Sequence, residues 1–418
     1  MFYKKIEKCR ICGNKNLASV LHLGDQALTG YFPKSKDQFV EKMPLELVKC
    51  EEDGSGATCG LLQLAHTGDL SQLYGENYGY RSSLNASMVK HLRSIVATIR
   101  NRIQLAPGDL VLDIGSNDST LLQGYTDAGI DLIGIDPTGK KFKEYYPAHI
   151  KLVPDFFTTA NFKKAFPTRK AKVITSISMF YDLEEPMAFM RDIHECLDDN
   201  GIWVLEQSYM PTMLEMNSYD TICHEHLEYY GLKQIQWMAE RIGFKILDVE
   251  LNGINGGSFQ ITVAKKASRH AVATERVSAL LRKEEELKLH TLAPFQAFKE
   301  RTFQHRDELK AMISKIRASG KKVFGLGAST KGNVILQFCG FTPEDVPYVA
   351  EVNTDKFGAF TPGTLLPIIS EEDAKGLHPD FFLVLPWHFR DTFLSREKAF
   401  MQNGGKLIFP LPSIQAIG

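Results

Sequence analysis

The pattern of apolar and polar positions changes character along the chain. Residues 1–65 carry no long periodic segment, so they read as short strands and turns held by something other than a large core. In NASMVKHLRSIVATIRNRI (85–103) apolar positions recur at helical spacing. From Asp109 the signal becomes one of buried strands: DLVLDIG, IDLIGID, IKLVP, AKVITSIS and GIWVLEQ are short apolar runs with helical patterns between most of them. A continuous apolar run reads as a strand covered on both faces, and its alternation with helices predicts a doubly wound parallel sheet. FKILDVEL (244–251) and GSFQITVAK (257–265), joined by the turn sequence NGING, predict a hairpin that closes this sheet. Residues 272–319 are rich in Glu, Lys, Arg, Ala and Leu and predict long helices. Strand candidates resume at 321–327, 346–353, 380–387 and 405–412. The expected class is α/β, in three parts. A small module spans 1–65. A Rossmann-like domain spans 66–270, with 66–105 as a helical lead-in. A helical connection and a second Rossmann-like domain fill 271–418.

Composition narrows the function classes. A length of 418 residues suits two or three domains, with 44% hydrophobic and 24% charged residues as in ordinary globular chains. The net charge of −1 gives no overall attraction to nucleic acid or an anionic membrane, so neither partner is expected. MFYKKIEKCR lacks the apolar stretch of a signal peptide, and no run approaches the ~20 apolar residues of a membrane span. The expected location is the cytoplasm. The sequence leaves the oligomeric state open, with a monomer as the default.

Cys9, Cys12, Cys50 and Cys59 are four of the seven cysteines. The first two form a Cys-x2-Cys knuckle; the polar, glycine-containing EEDGSGAT separates the second two. Two such pairs brought together suit tetrahedral zinc, with free or redox thiols as the bland alternative. A four-thiolate site has no open position for a substrate, so the zinc is expected to be structural.

VLDIGSNDSTLL (111–122) is the main cofactor signal. A strand ends at Asp113, and Gly115 permits a tight turn with close backbone approach to a ligand. Asn117 and Asp118 are expected to satisfy free amides at a following helix start. Asp136 ends the next strand at the spacing where an acidic side chain meets ribose hydroxyls. Asp155 and Phe156, with Phe157, are candidates to bracket an adenine. With the closing hairpin, these strand ends point to S-adenosylmethionine (SAM) on a class I methyltransferase domain. A nicotinamide dinucleotide site is the alternative.

Beyond GIWVLEQ, the segment CHEHLEYY sets His224, Glu225 and His226 next to Tyr229 and Tyr230, where open α/β sheets bind ligands. Metal ligands or helix-start polar groups would be the bland reading of the same residues. The whole series resembles the nucleotide-sugar C-methyltransferase family, which includes enzymes that methylate C3 of dTDP-linked 4-keto deoxyhexoses. The four-cysteine N-terminus, YGYRSS, DIGSNDSTLL, CHEHLEYY, NGGSFQI, GLGASTKGN, FTPGTLLPI and LPWHFRD carry it, in that order, over nearly the whole chain. The resemblance implies bound zinc, a SAM-binding middle domain and a C-terminal domain that helps hold a dTDP- or GDP-linked keto sugar. It makes His226 the base that removes the proton beside the ketone, with Glu225 orienting or tuning it. It places Tyr80 against the sugar and makes His224 a further substrate contact. This chain departs from the family at Cys223, where a Tyr is common. It departs again in SISMFYDLEEP, which offers Ser178, Tyr181 and Asp182 where a His is common.

GLGASTKGN (325–333) follows a strand and is expected to open a helix. Gly327 and Ser329 would let amides approach a pyrophosphate at the helix N-terminus, and Lys331 would add its charge. An NAD(P)-dependent oxidoreductase of a sugar nucleotide is the rival reading, with Glu351 near the end of the next strand. A structural glycine turn is the bland one.

Overall fold

The computed structural model describes residues 2–68 and 81–418. The N-terminal module contains β1 (Tyr3–Lys5), β2 (Leu17–Ala27), β3 (Lys42–Cys50), β4 (Leu62–Leu64) and β5 (His66–Gly68). β2 and β3 run to 11 and 9 residues, so the expectation of short strands fails here. The apolar alternation of β2 and β3 is broken by polar residues and by register shifts in their pairing, which hides the long hairpin from a periodicity test. Leu21, Leu23, Leu45 and Leu47 are buried in a core shared with Tyr219, Cys223, Leu227 and Tyr229.

The middle domain opens with α1 (Ala86–Arg102), capped by the Asn85 side chain on the Ser87 amide. Its strands are β6 (Leu110–Ile114), β7 (Asp131–Ile135), β8 (Ile150–Val153), β9 (Ala171–Ile177) and β10 (Leu197–Ser208). The two-residue β11 (Glu228–Tyr229) follows, then β12 (Phe244–Asn252) and β13 (Ser258–Lys265). Seven of these form one sheet in the order β8-β7-β6-β9-β10-β13-β12. The first five are parallel, and β13 is antiparallel to both neighbours. All five residues of β6 are buried, as its unbroken apolar run requires. Between β6 and β7 the expected helix is replaced by a single 3-10 turn, Leu122–Gly124. Asn117 and Ser119 sit at φ 49° and 64°, a left-handed backbone that breaks a helix at its start.

β11 does not join that sheet. It pairs antiparallel with β4, giving the order β11-β4-β3-β2, so a segment from residue 228 completes a sheet of the N-terminal module.

α2 (Thr274–Glu286) and α3 (Ala293–Ala318) lead to the last domain. Its sheet comprises β14 (Val323–Leu326), β15 (Val349–Glu351), β16 (Ile368–Ser370), β17 (Phe381–Val384), β18 (Lys406–Phe409) and β19 (Gln415–Ile417). The order is β16-β15-β14-β17-β18-β19, parallel except for β19. α4 (Thr330–Cys339) follows β14 and runs from the Ser329 cap to Gly340, which ends it at φ 63°. Gln337 of α4 bonds both the amide and the carbonyl of Ala27 at the end of β2, tying the first module to the last domain. Among the described residues, no helix is long and apolar enough to cross a membrane.

Candidate active site and metal centre

One cavity of about 390 Å³ runs from the C-terminal ends of β6 and β7 to the CHEH loop and the start of α4. Gly115 forms part of its wall at φ 71°, and a Cβ there would press on Met179 at 3.1 Å. Asp113 is buried, with the Thr175 hydroxyl donating to it at 2.5 Å. Burial pushes its carboxyl up to about 7; Thr175 opposes this and the charge of Asp136 adds to it. Asp136 accepts from the Asn117 amide at 2.7 Å and from the Thr138 amide and hydroxyl at 2.6 Å each. It therefore fixes the Gly115–Asn117 turn as well as facing the cavity.

Asn117 and Asp118 do not cap a regular helix. They reach across to the lead-in of α1, where Asn117 accepts from the Ser82 amide and Asp118 from the Ser83 amide. Asp118 also takes the Thr120 amide and hydroxyl, a local turn bond. Phe156 and Phe157 line the cavity, whereas Asp155 is exposed, accepts the Phe156 amide and is not part of the lining.

Asp136→Ala is expected to weaken SAM binding by about 10- to 100-fold. It removes the acceptor that the Asn117 amide and the Thr138 amide and hydroxyl share. Calorimetric titration checks this, and an unchanged dissociation constant would remove Asp136 from the site.

The opposite wall comes from the loop after β10. His226 places Nδ1 at 2.8 Å from the Thr221 carbonyl. A carbonyl only accepts, so Nδ1 carries the proton and Nε2 keeps its lone pair. The Tyr181 ring meets the imidazole edge-on, with centroids 4.4 Å apart. Burial pulls the His226 pKa down to about 4, with the Lys331 charge acting in the same direction and the Thr221 carbonyl opposing. At neutral pH the imidazole is uncharged.

Glu225 is a cavity wall, yet the group that orients His226 is the Thr221 carbonyl. Burial raises the Glu225 carboxyl, and its Oε2 has no hydrogen-bond partner among the described residues. Gly30 makes room for this carboxylate: a Cβ there would lie 2.8 Å from Oε1. His224 is not part of the cavity; it is buried with Nε2 at 3.2 Å from the Met43 carbonyl. Tyr80 lies outside the described residues.

In the last domain, Thr330 and Lys331 reach the cavity, and Gly327 and Ser329 do not. A Cβ at Gly327 would meet Pro386 at 2.7 Å, so its closeness serves packing. The Ser329 hydroxyl caps the Gly332 amide. Glu351 takes the amides of Ala328, Val352 and Asn353, which occupies the carboxylate that the adenosine ribose of NAD would need. Sequence reasoning missed the Thr221 carbonyl, the Cys223 wall and Asn255, which also lines the cavity. A backbone acceptor leaves no sequence signal; the other two sit inside motifs already picked out.

At the far end of the N-terminal module, the sulfurs of Cys9, Cys12, Cys50 and Cys59 lie within 4.8 Å of one another. Cys9–Cys59 and Cys12–Cys50 are each 3.5 Å apart. Four thiolates around zinc at about 2.3 Å have edges of about 3.8 Å, so the set fits a closed tetrahedral site.

Residues 9–74 match a zinc binding domain, residues 88–249 a methyltransferase domain, and residues 253–412 the C-terminal domain of C-methyltransferases. The chain is 29% identical over 418 residues to the C-methyltransferase NovU of Streptomyces niveus, covering 99% of this chain and 97% of that one. The chain is similar to C-methyltransferases along nearly its whole length. Similar solved structures include the plantazolicin methyltransferase BpumL in complex with SAH, at 11% identity over 47% of this chain and 89% of that one, TM-score 0.36. Another is magnesium protoporphyrin IX methyltransferase from Synechocystis PCC 6803 with bound SAH, at 17% identity over 47% and 92%, TM-score 0.33. This C-methyltransferase depends on SAM as methyl donor and carries zinc as a structural metal.

Proposed function

We propose that this C-methyltransferase methylates the carbon beside the ketone, C3, of a nucleotide-linked 4-keto-6-deoxyhexose, with His226 as the base. The observation that carries the reading is the lone pair of His226 Nε2, set by the Thr221 carbonyl, in the same cavity as the β6 and β7 loops. A proton beside a carbonyl is acidic because the resulting carbanion delocalises onto oxygen, and a neutral imidazole can accept it. Bound SAM supplies a methyl on a sulfonium, which the substrate carbon takes while the carbon–sulfur electron pair stays on sulfur. His226 removes and holds the proton, and Asp136 and Gly115 position the donor. Thr330 and Lys331 bring the second Rossmann-like domain to the substrate side of the cavity. The cytoplasm, where such sugar nucleotides are made, is the proposed location.

The test is incubation with SAM and a panel of dTDP- and GDP-linked 4-keto-6-deoxyhexoses. The reading expects one member to gain the mass of one CH2, with loss of the hydrogen at C3. Failure of the whole panel, with transfer to another acceptor class, would overturn it.

A further inference from the structure

The start of α4 looked like a phosphate cradle, but the structure has already filled it. The Gly327 amide donates to the Ala350 carbonyl, the Ala328 amide to Glu351, and the Gly332 amide to the Ser329 hydroxyl. A pyrophosphate would find these three donors taken. Lys331 instead turns into the cavity that holds His226 and Cys223. Its ammonium donates to the Asn255 carbonyl at 2.7 Å, which uses one of three N–H donors and anchors the group to the β12–β13 hairpin. Asn255 is itself held at φ 55°, so the carbonyl is presented by a constrained turn.

Charges around this ammonium come from separate elements. Burial lowers its pKa, while Asp220, from the loop that precedes the CHEH segment, and Cys223 oppose that loss. The Trp387 indole donates to the buried Asp220 carboxyl at 2.7 Å; burial raises that carboxyl, and the Lys331 charge and the indole bond oppose the shift. The field of Lys331 is felt at His226. His226 and Lys331 thus face one cavity, which Asp182 and Glu225 also line.

We propose that Lys331 is a catalytic residue, an electrophile that polarises the ketone oxygen and stabilises the enolate made by His226. This rests on the keto-sugar reading above. As the carbon–hydrogen bond breaks, the proton goes to His226 Nε2 and the bonding pair delocalises onto the ketone oxygen. That oxygen becomes the anion that Lys331 donates to, and its charge also offsets the repulsion between imidazolium and ammonium.

The test uses the full-length zinc-loaded protein with Lys331→Gln and Lys331→Met, in the absence of SAM and with the accepted keto sugar in deuterium oxide. The readouts are deuterium incorporation at the carbon beside the ketone and the dissociation constants of SAM and of the free nucleoside diphosphate. Exchange is expected to fall by about 100-fold, with both dissociation constants within about threefold of the parent. Retained SAM affinity shows that each variant is folded. Parental exchange rates, or a loss confined to nucleoside diphosphate affinity, would overturn the proposal and return Lys331 to phosphate binding. If the parent enzyme neither exchanges nor methylates any nucleotide-linked keto sugar, the substrate reading fails and the role proposed for Lys331 fails with it.

Discussion

Replacing His226 by alanine is expected to lower turnover by roughly 10³-fold while leaving the SAM dissociation constant within about twofold. The side chain meets the Thr221 carbonyl and the Tyr181 ring, on the wall opposite the β6 and β7 loops. Removing it therefore takes away the proton acceptor and leaves the cofactor wall in place. The pH dependence follows from the same surroundings. With a pKa of about 4, His226 is already neutral where an ordinary imidazole is half-protonated, near pH 6.5. The His226 contribution to kcat/KM should be flat through pH 6.5, lost as the pH falls through about 4, and absent from the alanine variant. Single-turnover kinetics with parallel SAM titration check both parts. Near-parental rates would take the base role from His226.

Removing zinc is expected to have the second large effect, and to reach the active site. Zinc binding supplies on the order of 10 kcal/mol of folding free energy in small four-ligand sites. The module it holds is built into the base loop. β11 begins two residues after His226 and pairs with β4 at Glu228–Gln63 and Tyr229–Leu62. The Leu64 amide donates to the Leu227 carbonyl at 2.9 Å. Arg10, between the two knuckle cysteines, donates to the Leu64 carbonyl at 2.6 Å and sits 3.8 Å from Glu228. Glu228 is 2% exposed, and burial raises its carboxyl while Arg10 opposes the shift. Loss of the knuckle would leave that carboxyl buried without its cation, a destabilising change of about 3–5 kcal/mol for broken buried pairs. Cys59→Ser, or chelation, should speed amide exchange first in β2–β4 and then in residues 223–229. Turnover should fall with it, and SAM affinity should hold. Hydrogen-exchange mass spectrometry with metal analysis checks this; unchanged exchange at 223–229 in metal-free protein would disconnect the zinc from the base.

Features that depend on local chemistry were legible in the sequence. The unbroken apolar run of β6, the cysteine knuckle and the closing hairpin each announce themselves within a few residues. The seven-stranded order follows from strand–helix alternation together with that hairpin. Side-chain direction was less legible. Asp155 and Phe156 are neighbours, yet Phe156 faces the cavity and Asp155 faces outward. Within GLGASTKGN the glycine and serine serve packing and capping, and the lysine reaches the site. No periodicity distinguishes these roles, because they depend on Pro386 and Glu351, which lie far along the chain. Long-range pairing was hidden for a related reason. β11 has two residues, too few for a pattern, and its partner strand lies more than 160 positions earlier. The orienting group of His226, a main-chain carbonyl at Thr221, has no residue type to recognise.

The central claim is that the methyl goes to carbon, through a proton removed by His226. The most direct measurement gives the enzyme SAM labelled with carbon-13 in its methyl group and the accepted keto sugar, then locates the label in the product by NMR. The account predicts a label bonded to the carbon beside the ketone, with that carbon's hydrogen lost, and labelled product formed roughly 10³-fold more slowly by His226→Ala. A label on oxygen or nitrogen, or an undiminished carbon-methyl product from the alanine variant, would contradict it.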